Sequence, residues 1–262
     1  MLLAIDTGNT NTVFALYEGE TRICDWRCKT VTGRTADEYA VWLERLFDHK
    51  SLSFEDVDAV IISSVVPDVN FDLRALSRKY FDYDALIIGA DITDTGLNIR
   101  LNRPEELGAD RIVNSVAAIA AYDLPAIILD FGTATTFDVI NADGDYCGGA
   151  ISPGVHLSIE ALHNAAAQLP TISVTKPDSS VGKNTVQALK SGLYWGYVSM
   201  IQGMIQRLSS DMQFQRQPNV IATGGLAKTF AEDIPEIIHI DDNLTLDGLR
   251  LIYHRLHQTK AA

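Results

Sequence analysis

Two short segments of similar composition carry residues that could bind phosphate. Residues 6–12 read Asp-Thr-Gly-Asn-Thr-Asn-Thr, and residues 130–136 read Asp-Phe-Gly-Thr-Ala-Thr-Thr. Glycine lets backbone N–H groups approach an anion, and the hydroxyl and amide side chains that follow can donate to phosphate oxygens. Each leading aspartate would repel a phosphate, but it could hold a hydrated Mg²⁺ or another cation beside it.

A hairpin turn would also explain either segment taken alone, because Asp-x-Gly is common in turns. Each copy follows a short apolar run and leads into a β-branched run, which predicts strand, tight turn and strand. The two leading aspartates, Asp6 and Asp130, are separated by close to half of the 262 residues. The repetition therefore favours two similar domains that share one ligand.

A third segment places an acid beside a base at a predicted helix start. Residues 104–111 read Pro-Glu-Glu-Leu-Gly-Ala-Asp-Arg. Adjacent residues there point in different directions, so Asp110 could face a substrate hydroxyl while the planar guanidinium of Arg111 binds a carboxylate. An acid favoured by the helix dipole next to a solvated arginine would leave the same pattern.

Residues 181–185, Val-Gly-Lys-Asn-Thr, resemble the end of a P-loop. The P-loop needs a glycine where Pro177 stands and a serine or threonine where Asn184 stands, so this is not a Walker A site. The segment is instead predicted to begin a helix, either an ordinary one or one that presents Thr185 and free N–H groups to an anion.

Two further glycine-containing segments could approach a ligand closely. Residues 220–225 form an apolar run that ends in two glycines, which could hold a flat nucleoside or form a plain strand-to-helix turn. Residues 148–154 contain three glycines and are followed by His156. A lone histidine of this kind is more often structural than catalytic.

Composition limits the classes of function. The chain is 47% hydrophobic and 21% charged, with a formal net charge of −13, which disfavours binding to nucleic acid or to an anionic membrane. No segment matches a signal peptide or a membrane span. Three cysteines argue against a disulfide framework. We therefore expect a cytoplasmic globular protein.

The spacing of apolar residues predicts the elements that position these segments. The first half is predicted to contain a β-meander over 2–29, a capped helix over 35–48, a strand over 59–66, a helix over 67–80, a strand over 85–88 and a helix over 109–122. The same order of strand, turn and strand begins again at 126, followed by a long helix over 184–211, a strand over 220–223 and a last helix over 246–258. This pattern predicts two α/β domains, which we place at 1–113 and 114–262.

Taken together, the segments at 6–12, 108–111, 130–136, 148–154 and 223–225 resemble type III pantothenate kinases in order and spacing over essentially the whole chain. That family belongs to the sugar kinase and actin superfamily. The resemblance implies two similar actin-like, ribonuclease H-like domains, each a mixed sheet with a β-meander and flanking helices, and an ATP cleft between them. It implies ATP-dependent phosphorylation of pantothenate to 4'-phosphopantothenate, the first step of coenzyme A synthesis. It also implies a homodimer that needs Mg²⁺ and a monovalent cation.

The resemblance implies a role for each matching residue. Asp110 would be the general base, Asp6 would orient Mg²⁺ through water, and Asp130 would bind K⁺ or NH₄⁺. The ATP-binding residues would be Asp6, Thr7, Gly8, Asn9, Thr10, Asn11, Thr12, Val13 and Thr133. The pantothenate pocket would be lined by Gly108, Ala109, Asp110, Arg111 and Thr185. Thr185 would come from the long helix, of this chain or of the partner subunit, and His156 is a weaker pocket candidate.

The chain departs from the family at one position, because many members have a tyrosine where this sequence has Leu101. A substrate contact through that phenol is therefore absent. Two other functions remain open at this point. One is a nucleotide-binding accessory or regulatory protein of the same fold, and the other is a kinase for another small hydroxyl compound, such as a sugar. Arg111 would distinguish a pantothenate kinase from a sugar kinase, since a neutral sugar has no carboxylate to pair with its guanidinium.

Overall fold

A computed structural model describes residues 1–165 and 170–258. The strands are β1 (Leu2–Thr7), β2 (Asn11–Glu18), β3 (Thr21–Lys29), β4 (Ala59–Ser64), β5 (Leu86–Ile87), β6 (Ala126–Phe131), β7 (Ala134–Ile140), β8 (Tyr146–Pro153), β9 (Asn219–Gly224) and β10 (Ile237–Ile240). The helices are α1 (Ala36–Asp48), α2 (Pro67–Tyr80), α3 (Ala109–Ala121), α4 (Val155–Ala165), α5 (Thr185–Asp211), α6 (Ala227–Ala231) and α7 (Leu244–Gln258). These elements belong to two compact units.

The first unit contains a five-stranded mixed sheet in the order β3-β2-β1-β4-β5. β1, β2 and β3 form an antiparallel meander, whereas β4 and β5 run parallel to β1. Side chains alternate between the two faces of a strand, so Leu3 and Ile5 of β1 enter the core that α1 and α2 cover. The central strand β1 thus ends, at Asp6 and Thr7, with its position fixed on both sides by hydrogen-bonded neighbours.

Two helices of the first unit begin where local signals predict. Thr35 accepts a hydrogen bond from the backbone N–H of Glu38, and the Glu38 carboxylate accepts one from the backbone N–H of Thr35 at 2.8 Å. This reciprocal pair confirms the capping box at the start of α1. Pro67 is the first residue of α2, a position where its missing N–H costs nothing.

The last helix, α7, packs in the first unit against β1 and β4. Gly248 lets the backbone of α7 contact α3, because a Cβ atom there would overlap the carbonyl oxygen of Val113. The Tyr17 hydroxyl also donates to Asp247 Oδ1 at 3.0 Å. The domain limits of 1–113 and 114–262 stay a prediction, but they assign this helix to the other half. Its amphipathic pattern predicts an apolar face and does not reveal which core that face meets.

The second unit repeats the sheet of the first. Its strand order is β10-β9-β6-β7-β8, with an antiparallel meander from β6 to β8 and with β9 and β10 parallel to β6. Its core is formed by the sheet with α4, α5 and α6. The fold class, two similar mixed-sheet α/β units, is confirmed. The edge strand β10 was not predicted, because its four residues, Ile-Ile-His-Ile, are too short a run to carry a clear strand pattern.

The second unit also includes Asn98–Asn102, which leads toward residues 104–111. Arg100 donates its backbone N–H to the Tyr146 carbonyl at 2.8 Å and forms an ion pair with Asp145. Asn98 donates to the same carboxylate at 2.6 Å.

Within residues 1–165 and 170–258, no helix has both the length and the apolar character needed to cross a bilayer.

Candidate active site

The first predicted phosphate loop forms the turn between β1 and β2. The Gly8 N–H donates to the Asn11 carbonyl at 3.0 Å, which closes the turn. Asn9 and Thr10 are exposed at its tip. The strand, turn and strand predicted for this segment is therefore present, and its tip offers polar side chains to solvent.

The other hydroxyls of the first loop lie underneath it. Thr7 and Thr12 are almost completely buried, and Val13 is half-buried. Thr12 Oγ1 lies 2.9 Å from Thr30 Oγ1, and Thr30 in turn donates to the Gly8 carbonyl at 2.7 Å. Thr12 therefore supports the turn from below. The ATP-binding role of residues 6–13 stays a prediction.

Asp6, at the end of β1, carries a strongly perturbed carboxyl group. Burial, together with the negative charge of Asp110, raises the pKa of Asp6 to about 7. The Ser63 hydroxyl and the charge of Arg27 act in the opposite direction. Ser63 faces Asp6 across the parallel pair of β1 and β4, but its hydroxyl makes no hydrogen bond of good geometry. Two carboxylates that repel each other form a site where a cation would be stabilising.

Asp110 lies in the first turn of α3, at its N-terminal end. Burial raises the pKa of Asp110, while the backbone N–H of Arg111 and the charge of its guanidinium lower it. That N–H donates to Asp110 Oδ1 at 2.8 Å, which fixes the orientation of the carboxylate. A half-buried carboxylate with a raised pKa and a fixed orientation suits a proton acceptor.

The residues around Asp110 give its side chain space. A Cβ atom on Gly108 would lie 2.6 Å from Asp110 Oδ1, so only glycine leaves room for the carboxylate where it stands. Ala109 is buried, and Arg111 is half-buried. Of the four consecutive residues predicted to line a pocket, 108–111, Ala109 therefore packs into the protein core, because successive side chains of a helix point in different directions.

The second predicted phosphate loop forms the turn between β6 and β7. The Gly132 N–H donates to the Ala134 carbonyl at 3.0 Å, and Gly132 and Thr133 are exposed at the tip. Two residues separate β6 from β7, whereas three separate β1 from β2. The two motifs therefore correspond as far as the glycine and differ in length after it.

Two segments that are distant in sequence pack against the second loop. The Gly154 N–H donates to the Thr133 carbonyl at 3.0 Å, and a Cβ atom on Gly154 would lie 2.6 Å from the Gly132 carbonyl oxygen. Gly224 has a φ of +88°, and a Cβ atom there would lie 2.7 Å from Asp130 Oδ1. The glycines singled out at 148–154 and 220–225 therefore let backbone approach this loop closely.

The remaining candidates lie at helix starts in the second unit. Thr185 is the first residue of α5 and is exposed, and Asn184 caps the helix by accepting from the Gln187 N–H at 3.0 Å. This confirms the helix start, and the substrate role of Thr185 stays a prediction.

His156 is exposed in the first turn of α4. Leu101 is half-buried, with Cδ2 3.5 Å from where a Cβ on Gly148 would stand.

The sequence reasoning missed Ser63. The register that pairs Asp6 with Ser63 in β1 and β4 recurs as Asp130 with Thr223 in β6 and β9. Each aspartate thus has a hydroxyl residue beside it on the neighbouring parallel strand. In the sequence, Ser63 is visible as a polar residue near the end of an apolar run. Only the register of β1 and β4 shows that it lies beside Asp6.

Comparisons with known proteins agree on one family. A family model described as type III pantothenate kinase matches residues 2–207. The type III pantothenate kinase of Rhodospirillum rubrum is 54% identical over 258 residues, covering 98% of this chain and 99% of that protein. The one of Paramagnetospirillum magneticum is 52% identical over 255 residues, with 97% of each chain covered.

A solved structure with low sequence identity shares the fold. The activator of the 2-hydroxyisocaproyl-CoA dehydratase from Clostridium difficile, solved with bound ADPNP, superimposes with a TM-score of 0.52 at 14% identity. The match covers 100% of this chain and 97% of that one. At this identity the likeness concerns the fold and not the reaction.

Proposed function

This chain belongs to the type III pantothenate kinase family, and on that premise we propose how its residues transfer phosphate from ATP to pantothenate. The reaction converts pantothenate to 4'-phosphopantothenate, the first step of coenzyme A biosynthesis. The observation that carries the proposal is the pair of mutually repelling carboxylates, Asp6 and Asp110. Phosphoryl transfer demands a proton acceptor and a cation holder, and these two residues supply both.

Asp110 is the general base. The primary hydroxyl of pantothenate attacks the γ-phosphorus in line, its proton passes to the Asp110 carboxylate, and the bond to the leaving ADP oxygen breaks. The hydrogen bond from the Arg111 N–H holds Oδ1, which leaves Oδ2 as the oxygen that accepts the proton. Gly108 keeps the space in which this carboxylate stands.

Asp6 orients Mg²⁺ through water. A magnesium ion held there would supply positive charge to offset the negative charge that develops during phosphoryl transfer. The raised pKa of Asp6 supports this role for Asp6. Burial and the neighbouring carboxylate of Asp110 destabilise its ionised form, and a nearby cation would stabilise it. The exposed turn at Asn9 and Thr10 supplies donors for the phosphate groups, with the other residues of 6–13 shaping it.

Arg111 selects the substrate. Its planar guanidinium can pair with the carboxylate of pantothenate through two parallel hydrogen bonds, an interaction that a neutral sugar cannot make. Gly108, Ala109 and Thr185 complete the pocket in this proposal. Leu101 contributes no hydroxyl, so we expect pantothenate to be held mainly by its carboxylate.

The second loop binds the nucleotide. Thr133 contacts ATP, and Asp130 holds a monovalent cation, K⁺ or NH₄⁺. In support, Thr133 is exposed at the tip of a turn, and Gly224 brings bare backbone against Asp130. Backbone carbonyls and a carboxylate are oxygen ligands of the kind that hard cations prefer.

We also propose a cytoplasmic homodimer. Leu157 and Leu162 of α4 are exposed, as are Val181, which precedes α5, and Val186 in the first turn of α5. Burial against a second copy would remove this apolar surface from water. The three cysteines are free thiols, which fits a reducing compartment. Sedimentation equilibrium should give twice the chain mass, and a concentration-independent monomer would contradict the dimer.

A coupled assay of ADP release tests the function. Pantothenate and a panel of sugars are compared as acceptors, with K⁺ present or replaced by Na⁺. We expect turnover with pantothenate alone. Turnover with a sugar instead would identify a different kinase, and nucleotide binding without turnover on any acceptor would favour an accessory protein.

A further inference from the structure

We propose that Tyr197, a buried residue of α5, is a positioning residue for the ATP-binding loop at Gly132 and Thr133. Nothing in the sequence motifs points to it. The proposal rests on the ATP-binding role proposed above for Thr133. Tyr197 touches no substrate in this scheme, and it acts through the backbone that supports the loop.

Tyr197 holds the end of β8. Its hydroxyl donates to the Pro153 carbonyl and lies 3.0 Å from Ser158 Oγ. Ser158, in α4, also reaches the Gly154 carbonyl at 3.0 Å. Burial raises the pKa of Tyr197, so its hydroxyl keeps its proton and remains a donor at neutral pH. Two side chains from two helices therefore fix the backbone of Pro153 and Gly154.

That backbone is in direct contact with the loop. The Gly154 N–H donates to the Thr133 carbonyl at 3.0 Å, and Gly154 has no room for a side chain against the carbonyls of Gly132 and Thr133. Ala134, the residue after the loop, pairs with Pro153 in the sheet. A shift of Pro153 and Gly154 must therefore move Thr133.

A second route runs through stacked aromatic rings. The Tyr197 ring lies 5.8 Å from the Phe230 ring, and Phe230 lies 5.7 Å from Phe131 at an interplanar angle of 10°. Phe131 immediately precedes Gly132. The ring of Tyr197 and its hydroxyl thus support the loop from both of its ends, and replacement by phenylalanine separates the two effects.

Tyr194, on the same helix, is a matched control. It is also buried and its ring lies 5.2 Å from Phe230. Its hydroxyl, however, donates to Asp233 Oδ2 at 2.7 Å and lies 3.0 Å from the Thr229 carbonyl oxygen. The Tyr194 hydroxyl therefore makes comparable buried hydrogen bonds that do not involve Pro153 or Gly154.

The test compares Tyr197→Phe with Tyr194→Phe in the full chain. Calorimetry measures the Kd of ADPNP, a non-hydrolysable ATP analogue, and steady-state kinetics measure KM for ATP and for pantothenate. One lost hydrogen bond should raise the Kd of ADPNP and the KM for ATP by about 3- to 10-fold in Tyr197→Phe. The KM for pantothenate should not change, and Tyr194→Phe should leave nucleotide affinity at the wild-type value.

Equal nucleotide affinity in the two variants would overturn the proposal, as would equal rises of both KM values in Tyr197→Phe. Ser158→Ala provides a second variant that removes the other support of Gly154, and it should weaken ADPNP binding in the same direction. An unchanged Kd in Ser158→Ala together with a Tyr197→Phe chain that does not fold would also count against it. A wild-type chain that binds ADPNP and does not phosphorylate pantothenate would refute the kinase function alone, because the Kd comparison does not depend on turnover.

Discussion

Burial and, after it, the negative charge of Asp110 raise the pKa of Asp6 to about 7, so the two carboxylates repel each other in the folded chain. Asp6 is the next-to-last residue of the central strand β1, and Asp110 lies in the first turn of α3. Burial strengthens the repulsion, because few water molecules screen the two charges. The ligand-free protein therefore carries an electrostatic penalty that a bound cation would relieve.

Asp6→Asn should stabilise the ligand-free protein above neutral pH while it abolishes turnover. The pKa of Asp6 is 3.8 in the unfolded chain and about 7 in the folded chain. At a pH between these two pKa values, the unfolded state therefore binds fewer protons than the folded state. The free energy of unfolding should consequently fall as pH rises through this window, by at most about 4 kcal/mol. Urea unfolding of wild type and variant, at a pH near each end of the window, measures the difference.

The variant should be more stable than wild type at the upper end of this window, and the gap should close at the lower end. Asp25→Asn, which replaces an exposed aspartate of β3, serves as the control for the loss of a surface carboxylate from the same sheet. An Asp6→Asn protein that is less stable than wild type above pH 7 would refute the raised pKa of Asp6, to which burial and Asp110 both contribute.

Asp110→Asn should fold normally and lose most of its turnover. Removal of a general base commonly costs about 10²- to 10⁴-fold in rate. Because the pKa of Asp110 is raised, wild-type turnover should increase with pH until this carboxyl group is ionised, and the variant should lack that increase. ADP release measured across pH tests both points.

Glu105→Gln is the control for Asp110→Asn, since it removes an exposed carboxylate from the same segment. It should keep wild-type kinetics. Near wild-type turnover in Asp110→Asn would remove Asp110 from the base role.

Gly108→Ala should damage catalysis without much loss of stability. The added methyl group would stand 2.6 Å from Asp110 Oδ1, and that carboxylate can rotate away at little energetic cost. The base would then lie in the wrong place. We expect turnover to fall by at least about 10²-fold, since small displacements of reacting groups have effects of this size. Kinetics together with thermal unfolding separate the two effects.

Gly192→Ala, where an added Cβ meets nothing within 4 Å, controls for an added methyl group and should keep full activity. If Gly108→Ala turns over pantothenate at the wild-type rate, the carboxylate position is not critical.

Gly224→Ala should impair nucleotide binding, whereas Gly225→Ala should be tolerated. Gly224 has a positive φ and no space beside Asp130 and the backbone of Phe131, while an added Cβ on Gly225 meets nothing within 4 Å. The first substitution must shift β9 away from β6, or shift the second loop. Calorimetry with ADPNP should show at least about a 10-fold weaker Kd for Gly224→Ala, which corresponds to roughly 1.4 kcal/mol. Similar affinities for the two variants would argue against close backbone packing at the nucleotide site.

Asp130→Asn should abolish activation by K⁺. Turnover with K⁺ and with Na⁺, compared at constant ionic strength, should differ in wild type and coincide in the variant. Asp143→Asn, an exposed aspartate between β7 and β8, is the matched control and should retain the wild-type response. A K⁺ response that survives in Asp130→Asn would place the monovalent cation elsewhere.

Much of the fold could be predicted from sequence, because the signals are local. The capping box at Thr35 and Glu38 joins residues three positions apart, and Pro67 at the start of α2 acts through its own ring. The strands β1 and β6 with their glycine turns were visible as apolar runs followed by Asp-x-Gly. Interactions within about one helical turn, or within one strand, leave such periodic patterns.

The repeated strand-turn-strand pattern, the helix starts and the residue types of the candidate site follow from the order of amino acids alone. The folded chain was needed to show that Gly154 and Gly224 contact the second loop, that Asp110 raises the pKa of Asp6, and that α7 packs in the first unit. Each of these depends on strand register or helix packing between residues far apart in the chain. Periodicity records which face of an element is apolar, but not which distant residue that face will contact.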